Sequence, residues 1–342
     1  MSDKLQPLDP RTAVDLYLDH REPELSKSSI QNQRYRLDSF VEWCEDEDIE
    51  NINRLTGRNL HQFRVWRRQG RGESHGPVSK VTLRGILATV RMFLEFCATI
   101  DAVEEGLREK VMLPNVSAAE ASREEKLDED DADAIIDHLE RFQYAGREHV
   151  IFSVLWHTGI RLGTLRGFDL RDFSYEQQSM KVRHRPESDT PLKNQEAAER
   201  IIAVGEHYCD VIQDYIDHNR VNTTDDYGRE PLITTVQGRI AGGTIRNYVY
   251  QWTRPCMLRG CPHDRDPDTC EAMKSDTAGK CPSSRSPHGV RRGSITTHLR
   301  DGVPEEIVSD RMNASKEVLE QHYDKRTERE RMELRREFLT DK

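Results

Sequence analysis

The stretch Pro287-His288-Gly289-Val290-Arg291 tells more about this chain than any other. Proline suits the first turn of a helix, where its missing N–H has no partner in any case, so Pro287 predicts a helix start. Residues three apart lie on one face of a helix, which puts His288 beside Arg291. By itself this pair is also typical of a solvated surface helix. Whether the pair belongs to a functional site depends on which residues the rest of the chain contains.

Two segments far from this pair in the sequence contain residues that could act together with it. Arg161 ends the run His157-Thr158-Gly159-Ile160-Arg161, and Tyr323 lies in Gln321-His322-Tyr323-Asp324. Arginine presents paired donors in a planar fork and stays protonated, which suits phosphate oxygens. A tyrosine hydroxyl can act as a nucleophile. Two arginines, a histidine and a late tyrosine are the groups that attack of tyrosine on a DNA phosphate needs.

These motifs, in this order, resemble those of the tyrosine recombinase (phage-type integrase) family, including the Xer-like site-specific recombinases. The resemblance implies a mainly α-helical, two-domain fold with a small β-hairpin or sheet. It implies DNA breakage and rejoining through a 3′-phosphotyrosine, with no metal or ATP in the chemistry. Arg161 and Arg291 would hold the phosphate, His288 would donate to it or manage a proton, and Tyr323 would attack.

Two more site residues follow from the resemblance. Lys193 lies where the family has a hairpin lysine that protonates the departing 5′-oxygen, and Lys181 is the alternative. Asn313 stands where the family usually has His or Trp, and its amide can donate a hydrogen bond. Thr164 stands where the family commonly has an acid, three residues after Arg161.

The chain pattern predicts two domains. Residues 1–115 form a helical core-binding domain that would be one half of a clamp around DNA, 116–126 form a linker, and 127–342 form the α+β catalytic domain. Residues 173–204 alone have strand character, which predicts a hairpin or three-stranded sheet. Helical periodicity covers four stretches of the first domain. These stretches are 12–18, 28–43, 60–66 and 81–96.

A cysteine-rich insertion, residues 255–282, precedes His288. It contains Cys256, Cys261, Cys270 and Cys281 at irregular spacings. Four thiolates can close a tetrahedral zinc site, and clustered cysteines in a reducing compartment suggest a metal before disulfides. Two interpretations stay open: a structural zinc that supports the active-site helix, or free thiols in a surface loop.

The composition bears on the partners. The 342 residues carry a net charge of −10, and 33% of them are charged. A net negative charge argues against binding to DNA phosphate, so a DNA-binding face must be locally basic. Of the 51 basic residues 12 are lysine and 39 arginine, and this acid-rich, lysine-poor balance resembles proteins of salt-accumulating cells. No segment resembles a signal peptide or a membrane span, which predicts a soluble, cytoplasmic protein.

The resulting hypothesis is a site-specific recombinase or integrase that acts on double-stranded DNA. The charged tail after Tyr323 would pack on a neighbouring protomer, as in the family, giving a homotetramer around two duplexes. Two alternatives are a type IB topoisomerase-like enzyme and a DNA-binding regulator that keeps the fold but has impaired catalysis. Thr164 and Asn313 favour the regulator. The retained catalytic set favours an enzyme: Arg161, His288, Arg291 and Tyr323.

Overall fold

The computed structural model divides the chain into two compact units, Met1–Arg123 and Glu124–Lys342. No helix in the described part of the chain has the length and apolar character needed to cross a membrane. The structure describes residues 5–70, 77–117, 120, 125–322, 329, 332 and 336.

The described part of the first unit contains four α-helices, at the positions that the periodicity predicts. Each starts where an Asp, Ser or Thr side chain accepts a backbone N–H of the first turn, a strong local signal for a helix start. The core is aromatic: Phe40 meets Phe63 edge to face, with centroids 5.2 Å apart. The helices are α1 (Pro10–Arg21), α2 (Lys27–Asp46), α3 (Gly57–Gln69) and α4 (Lys80–Thr99).

The described part of the second unit contains eight more α-helices and two small antiparallel sheets. The helices are α5 (Glu129–Phe142), α6 (Arg147–Thr158), α7 (Leu162–Gly167), α8 (Glu206–Asp214), α9 (Gly242–Trp252), α10 (Pro287–Arg300), α11 (Glu305–Met312) and α12 (Lys316–His322). The strands are β1 (Phe173–Ser174), β2 (Ser179–Val182), β3 (Arg200–Ala203), β4 (Thr234–Thr235) and β5 (Gly238–Arg239).

The sheet in 173–204 is three-stranded, with β2 between β1 and β3. Met180 lies opposite Ile202, and both side chains are buried in the core of the unit. Lys181 lies opposite Ile201 on the other face, because side chains alternate along a strand. The β4–β5 hairpin lies in a region where the sequence predicted only helices. Its strands are two residues long, too short for a periodicity signal.

Helix α6 lies at the centre of the second unit, and almost its whole surface is buried. Helix α10 packs closely against it at Gly293. A Cβ added there would lie 2.1 Å from the carbonyl oxygen of Leu127 and 2.7 Å from the Trp156 ring, so only glycine fits. The N–H of Leu127 donates to the Gly289 carbonyl, at 3.1 Å. Leu127, the first residue of the predicted catalytic domain, precedes the helix α5, which begins at Glu129.

An ion-pair network anchors the chain that follows α7. Asp169 is 2% exposed and accepts hydrogen bonds from Arg229 and Arg239. Asp172 accepts two from Arg185, at 2.6 and 2.7 Å. Burial alone would raise the pKa of Asp169, but the hydrogen bonds from the two arginines hold it below the ordinary value. These hydrogen bonds join the segment after α7 to later parts of the unit.

Candidate active site

Arg161 is held by the turn between α6 and α7. Helix α6 ends at Thr158, and Gly159 takes the left-handed conformation, with φ +58°, that favours glycine at a helix end. A Cβ on Gly159 would also lie 2.6 Å from the Met312 sulfur. Arg161 then has an extended backbone and directly precedes the first residue of α7. The Thr-Gly-x-Arg motif is therefore a tight turn that presents a half-buried arginine at a helix start.

Arg291 is the most deeply buried of the predicted catalytic residues that the structure describes, at 3% exposure. Its Nη1 donates to the carbonyl oxygens of Gly159 and Met312, the latter at 2.7 Å, and Nη2 donates to the Asn313 carbonyl at 3.4 Å. One guanidinium thus joins the turn before Arg161 to the end of α11. The arginine positions its neighbours as well as supplying charge.

His288 lies one turn before Arg291 on α10 and is exposed. Partial desolvation, followed by the effect of four nearby positive charges, lowers the pKa of its imidazole to about 4. The ring is therefore neutral at pH 7 in the DNA-free protein. An anion bound among these cations would cancel their effect and make the ring easier to protonate. The four charges belong to Arg161, Lys193, Arg291 and Arg292.

Lys193 is exposed in the connection between β2 and β3. Its neighbour Asn194 donates from Nδ2 to the Oδ1 of Asn313, at 3.0 Å. Asn313 itself has φ +50° and ends α11. The structure therefore brings Lys193, His288, Arg291 and Asn313 to one place from three separate segments. Lys181, the alternative acid, lies on β2 opposite Ile201.

Thr164 and Tyr323 complete the predicted set. Thr164 is 9% exposed, and its backbone N–H donates to the Arg161 carbonyl at 2.9 Å, within the first turn of α7. Tyr323 lies outside the described residues. Helix α12 ends at His322, the residue before it, and packs against α11.

Two arginines that sequence reasoning did not assign to the site lie beside it. Arg200, the first residue of β3, donates from Nε to the carbonyl oxygen of Arg311 at 2.9 Å. Arg311 donates to the carbonyls of Ala203 and His157, at 2.6 and 3.3 Å. Arginine is the commonest basic residue in this chain, so nothing in the sequence distinguished these two from the others. Only the docking of α11 on β3 brings them together.

His157 lies at this contact between α11 and β3. Its Nε2 lies 2.7 Å from the Val204 carbonyl oxygen and 3.1 Å from Nη2 of Arg311, and its ring stacks on Tyr208 with centroids 3.8 Å apart. Desolvation and then the charge of Arg311 lower the pKa of His157 to about 4. A neutral His157 is thus built into the contact between β3 and α11.

The cysteine-rich insertion contains short 3₁₀ turns at Pro255–Met257, Glu271–Met273 and Ala278–Lys280. All four cysteines are free thiols, and Cys281 is the most buried, at 9% exposure. Among the described residues, no three His, Cys, Asp or Glu side chains are arranged to hold a metal ion. Zinc binding stays a prediction, and it would require the thiols to draw together.

Comparisons with known proteins show which proteins this chain is similar to. Residues 14–99 match the family model of the phage integrase N-terminal SAM-like domain. Tyrosine recombinase XerC of Corynebacterium glutamicum is 22% identical over 294 residues, 85% of this chain and 79% of the relative. An N-terminal domain of a phage integrase/site-specific recombinase from Haloarcula marismortui is 43% identical and covers 32% of this chain and 99% of that one, with a TM-score of 0.29.

Solved structures extend the fold likeness to both units. The Tn1549 transposon integrase, in complex with a circular intermediate DNA, is 14% identical with a TM-score of 0.65, covering 95% of this chain and 98% of that one. A lambda integrase dimer bound to a COC′ core site is 11% identical with a TM-score of 0.62, covering 94% and 79%. The chain belongs to the tyrosine recombinase family, the family of the phage integrases.

Proposed function

We propose that this protein is a site-specific DNA recombinase or integrase that breaks and rejoins DNA through a 3′-phosphotyrosine at Tyr323. One observation carries the proposal: the charges of Arg161, Lys193 and Arg291 act together on His288, in a chain of the tyrosine recombinase family. Such a concentration of cations around a neutral imidazole suits a phosphodiester, whose charge grows in the transition state.

The reaction needs no other reactant. The Tyr323 hydroxyl oxygen would bond to phosphorus as the bond to the 5′-oxygen breaks. Lys193 would give its proton to that oxygen, and the tyrosine proton would leave through His288 or solvent. Arg161 and Arg291 would hold the non-bridging oxygens. Attack of another strand's 5′-hydroxyl on the phosphotyrosine would then restore the DNA and release Tyr323.

Double-stranded DNA is the proposed partner, and four copies of the chain around two duplexes are the proposed assembly. Most of the tail after Tyr323 lies outside the described residues. Met332, one of its few apolar side chains, is 43% exposed in the single chain, which favours a tail that a second copy covers. Action on DNA also favours a cytoplasmic location.

The covalent step can be tested before the target sequence is identified. Randomly nicked genomic fragments from the source cell are incubated with the protein, denatured with detergent and separated on a gel. The wild type should yield a protein–DNA adduct whose DNA can be sequenced to find the cleavage site. Tyr323→Phe should bind the same DNA and form no adduct. The exposed Tyr227 provides the control, since Tyr227→Phe should behave as the wild type.

The outcomes separate the proposal from its alternatives. An adduct of wild-type yield from Tyr323→Phe would assign the nucleophile elsewhere. Binding without any adduct from the wild type would favour a regulator. If the recovered site gives only relaxed plasmid and no exchange between two sites, the enzyme is a topoisomerase rather than a recombinase.

A further inference from the structure

Arg200 is a half-buried cation that has no counter-ion among the described residues. Its Nε donates to the Arg311 carbonyl at 2.9 Å, and Nη1 donates to the Ala198 carbonyl at 2.8 Å. Within that part of the chain, no carboxylate lies within ion-pair distance of it. Carbonyl oxygens provide partial charge but do not neutralise a guanidinium. Burying a charge in this way is costly unless an anion compensates for it.

The surroundings of Arg200 increase that cost. Desolvation, and then the charge of Arg161, lower the pKa of Arg200 to about 10. Asp310 acts in the opposite direction, but less strongly than Arg161. Because this pKa is still far above 7, Arg200 stays charged beside another cation. The folded protein thus holds two positive groups together at the edge of the active site.

The position of Arg200 is set by strong contacts. The carbonyls of Arg311 and Met312 are consecutive at the end of α11: Arg200 binds the first, and Arg291 binds the second at 2.7 Å. Arg291 also binds the carbonyl of Gly159, in the turn that presents Arg161. The end of α11 therefore fixes Arg200 and Arg291 side by side, with Arg161 near both.

We infer that Arg200 is a third phosphate-binding arginine of this site and that, together with Arg161, it contacts a non-bridging oxygen of the DNA backbone. The inference deepens the proposed function and rests on it. The phosphate is either the scissile one or its immediate neighbour, since both present the same oxygens. The repulsion between Arg161 and Arg200 is relieved when the phosphate lies between them.

The experiment compares Arg200→Gln with Arg220→Gln. Arg220 is a matched control because it is also half-buried and also donates only to backbone carbonyls, with its Nε 2.9 Å from the Pro231 oxygen. Adduct formation is measured on a nicked substrate built from the recovered cleavage site. Arg200→Gln should react about 100-fold more slowly, the loss typical of one charge-stabilising donor. Arg220→Gln should react at the wild-type rate.

Charge rescue distinguishes phosphate contact from a purely structural role. A methylphosphonate replaces one non-bridging oxygen by methyl and removes one negative charge. Arg200→Gln should approach the wild-type rate when the scissile phosphate carries this change, or when the neighbouring phosphate carries it if that is the one bound. A slow variant that neither methylphosphonate substrate rescues would mean that Arg200 only holds α11 in place. A variant with undiminished activity would also overturn the inference.

A second measurement works without DNA. Inorganic sulfate should raise the melting temperature of the wild type and of Arg220→Gln, because an anion that binds only the folded state stabilises it. Arg200→Gln should gain less than half of that increase. An equal increase in all three proteins would contradict the inference. If the wild type gains stability from sulfate through Arg200 but forms no adduct, the proposed function fails while the anion site stands.

Discussion

Replacement of Arg291 by alanine should destabilise the structure around the site as well as abolish catalysis. The side chain is 3% exposed and donates to the carbonyl oxygens of Gly159, Met312 and Asn313. Each buried acceptor left without a donor costs about 1–3 kcal/mol. Two of the three bonds are short, and water can enter part of the space that the guanidinium leaves. We therefore expect α11 to lose about 3–5 kcal/mol of local stability, which corresponds to three unsatisfied acceptors in the lower part of that range.

Hydrogen–deuterium exchange of the α11 amides is the suitable assay, because it reports local opening rather than the unfolding of both units. A loss of about 3–5 kcal/mol corresponds to a decrease in protection of roughly 100-fold or more, since a factor of ten is about 1.4 kcal/mol. Arg291→Lys, which keeps the charge and much of the volume, should lose less. Unchanged protection of α11 in Arg291→Ala would refute the reasoning that this arginine holds the helix.

Three further outcomes are expected. Lys193→Ala should cleave normal DNA roughly 10²–10⁴-fold more slowly but recover on a 5′-phosphorothiolate, whose sulfur leaves without a proton, whereas Arg161→Ala should not recover. Desolvation first of all lowers the pKa of both His149 and His157 to about 4, so the free energy of unfolding should fall as pH drops from about 6.5 towards 4; a melting temperature unchanged between pH 7 and 4.5 would contradict this. Protein purified without chelator should contain about one zinc per chain, and Cys281→Ser should lower both zinc content and melting temperature; elemental analysis that finds no zinc would end that hypothesis.

Local signals in the sequence were sufficient for most of the helices and for the order of the site motifs. Ser26 and Ser79 cap the helices that follow them through contacts within three residues, so the sequence alone shows where α2 and α4 begin. The helix start at Pro287 is also a local signal, and it places His288 and Arg291 one turn apart on one helix. The position of the three-stranded sheet was also predicted, because 173–204 alone has strand character, but the sequence left open whether it forms a hairpin or a three-stranded sheet.

The tertiary structure alone decided which side chains meet. Arg200 and Arg311 are 111 positions apart, and their contact exists only because α11 docks on β3. Arg291 binds a carbonyl 132 positions away. A sequence pattern reports the interactions of a residue with its near neighbours, whereas such contacts depend on the combined packing of several elements. For that reason the motifs predicted a phosphate-cleaving site, but the additional arginine beside it became visible only in the fold.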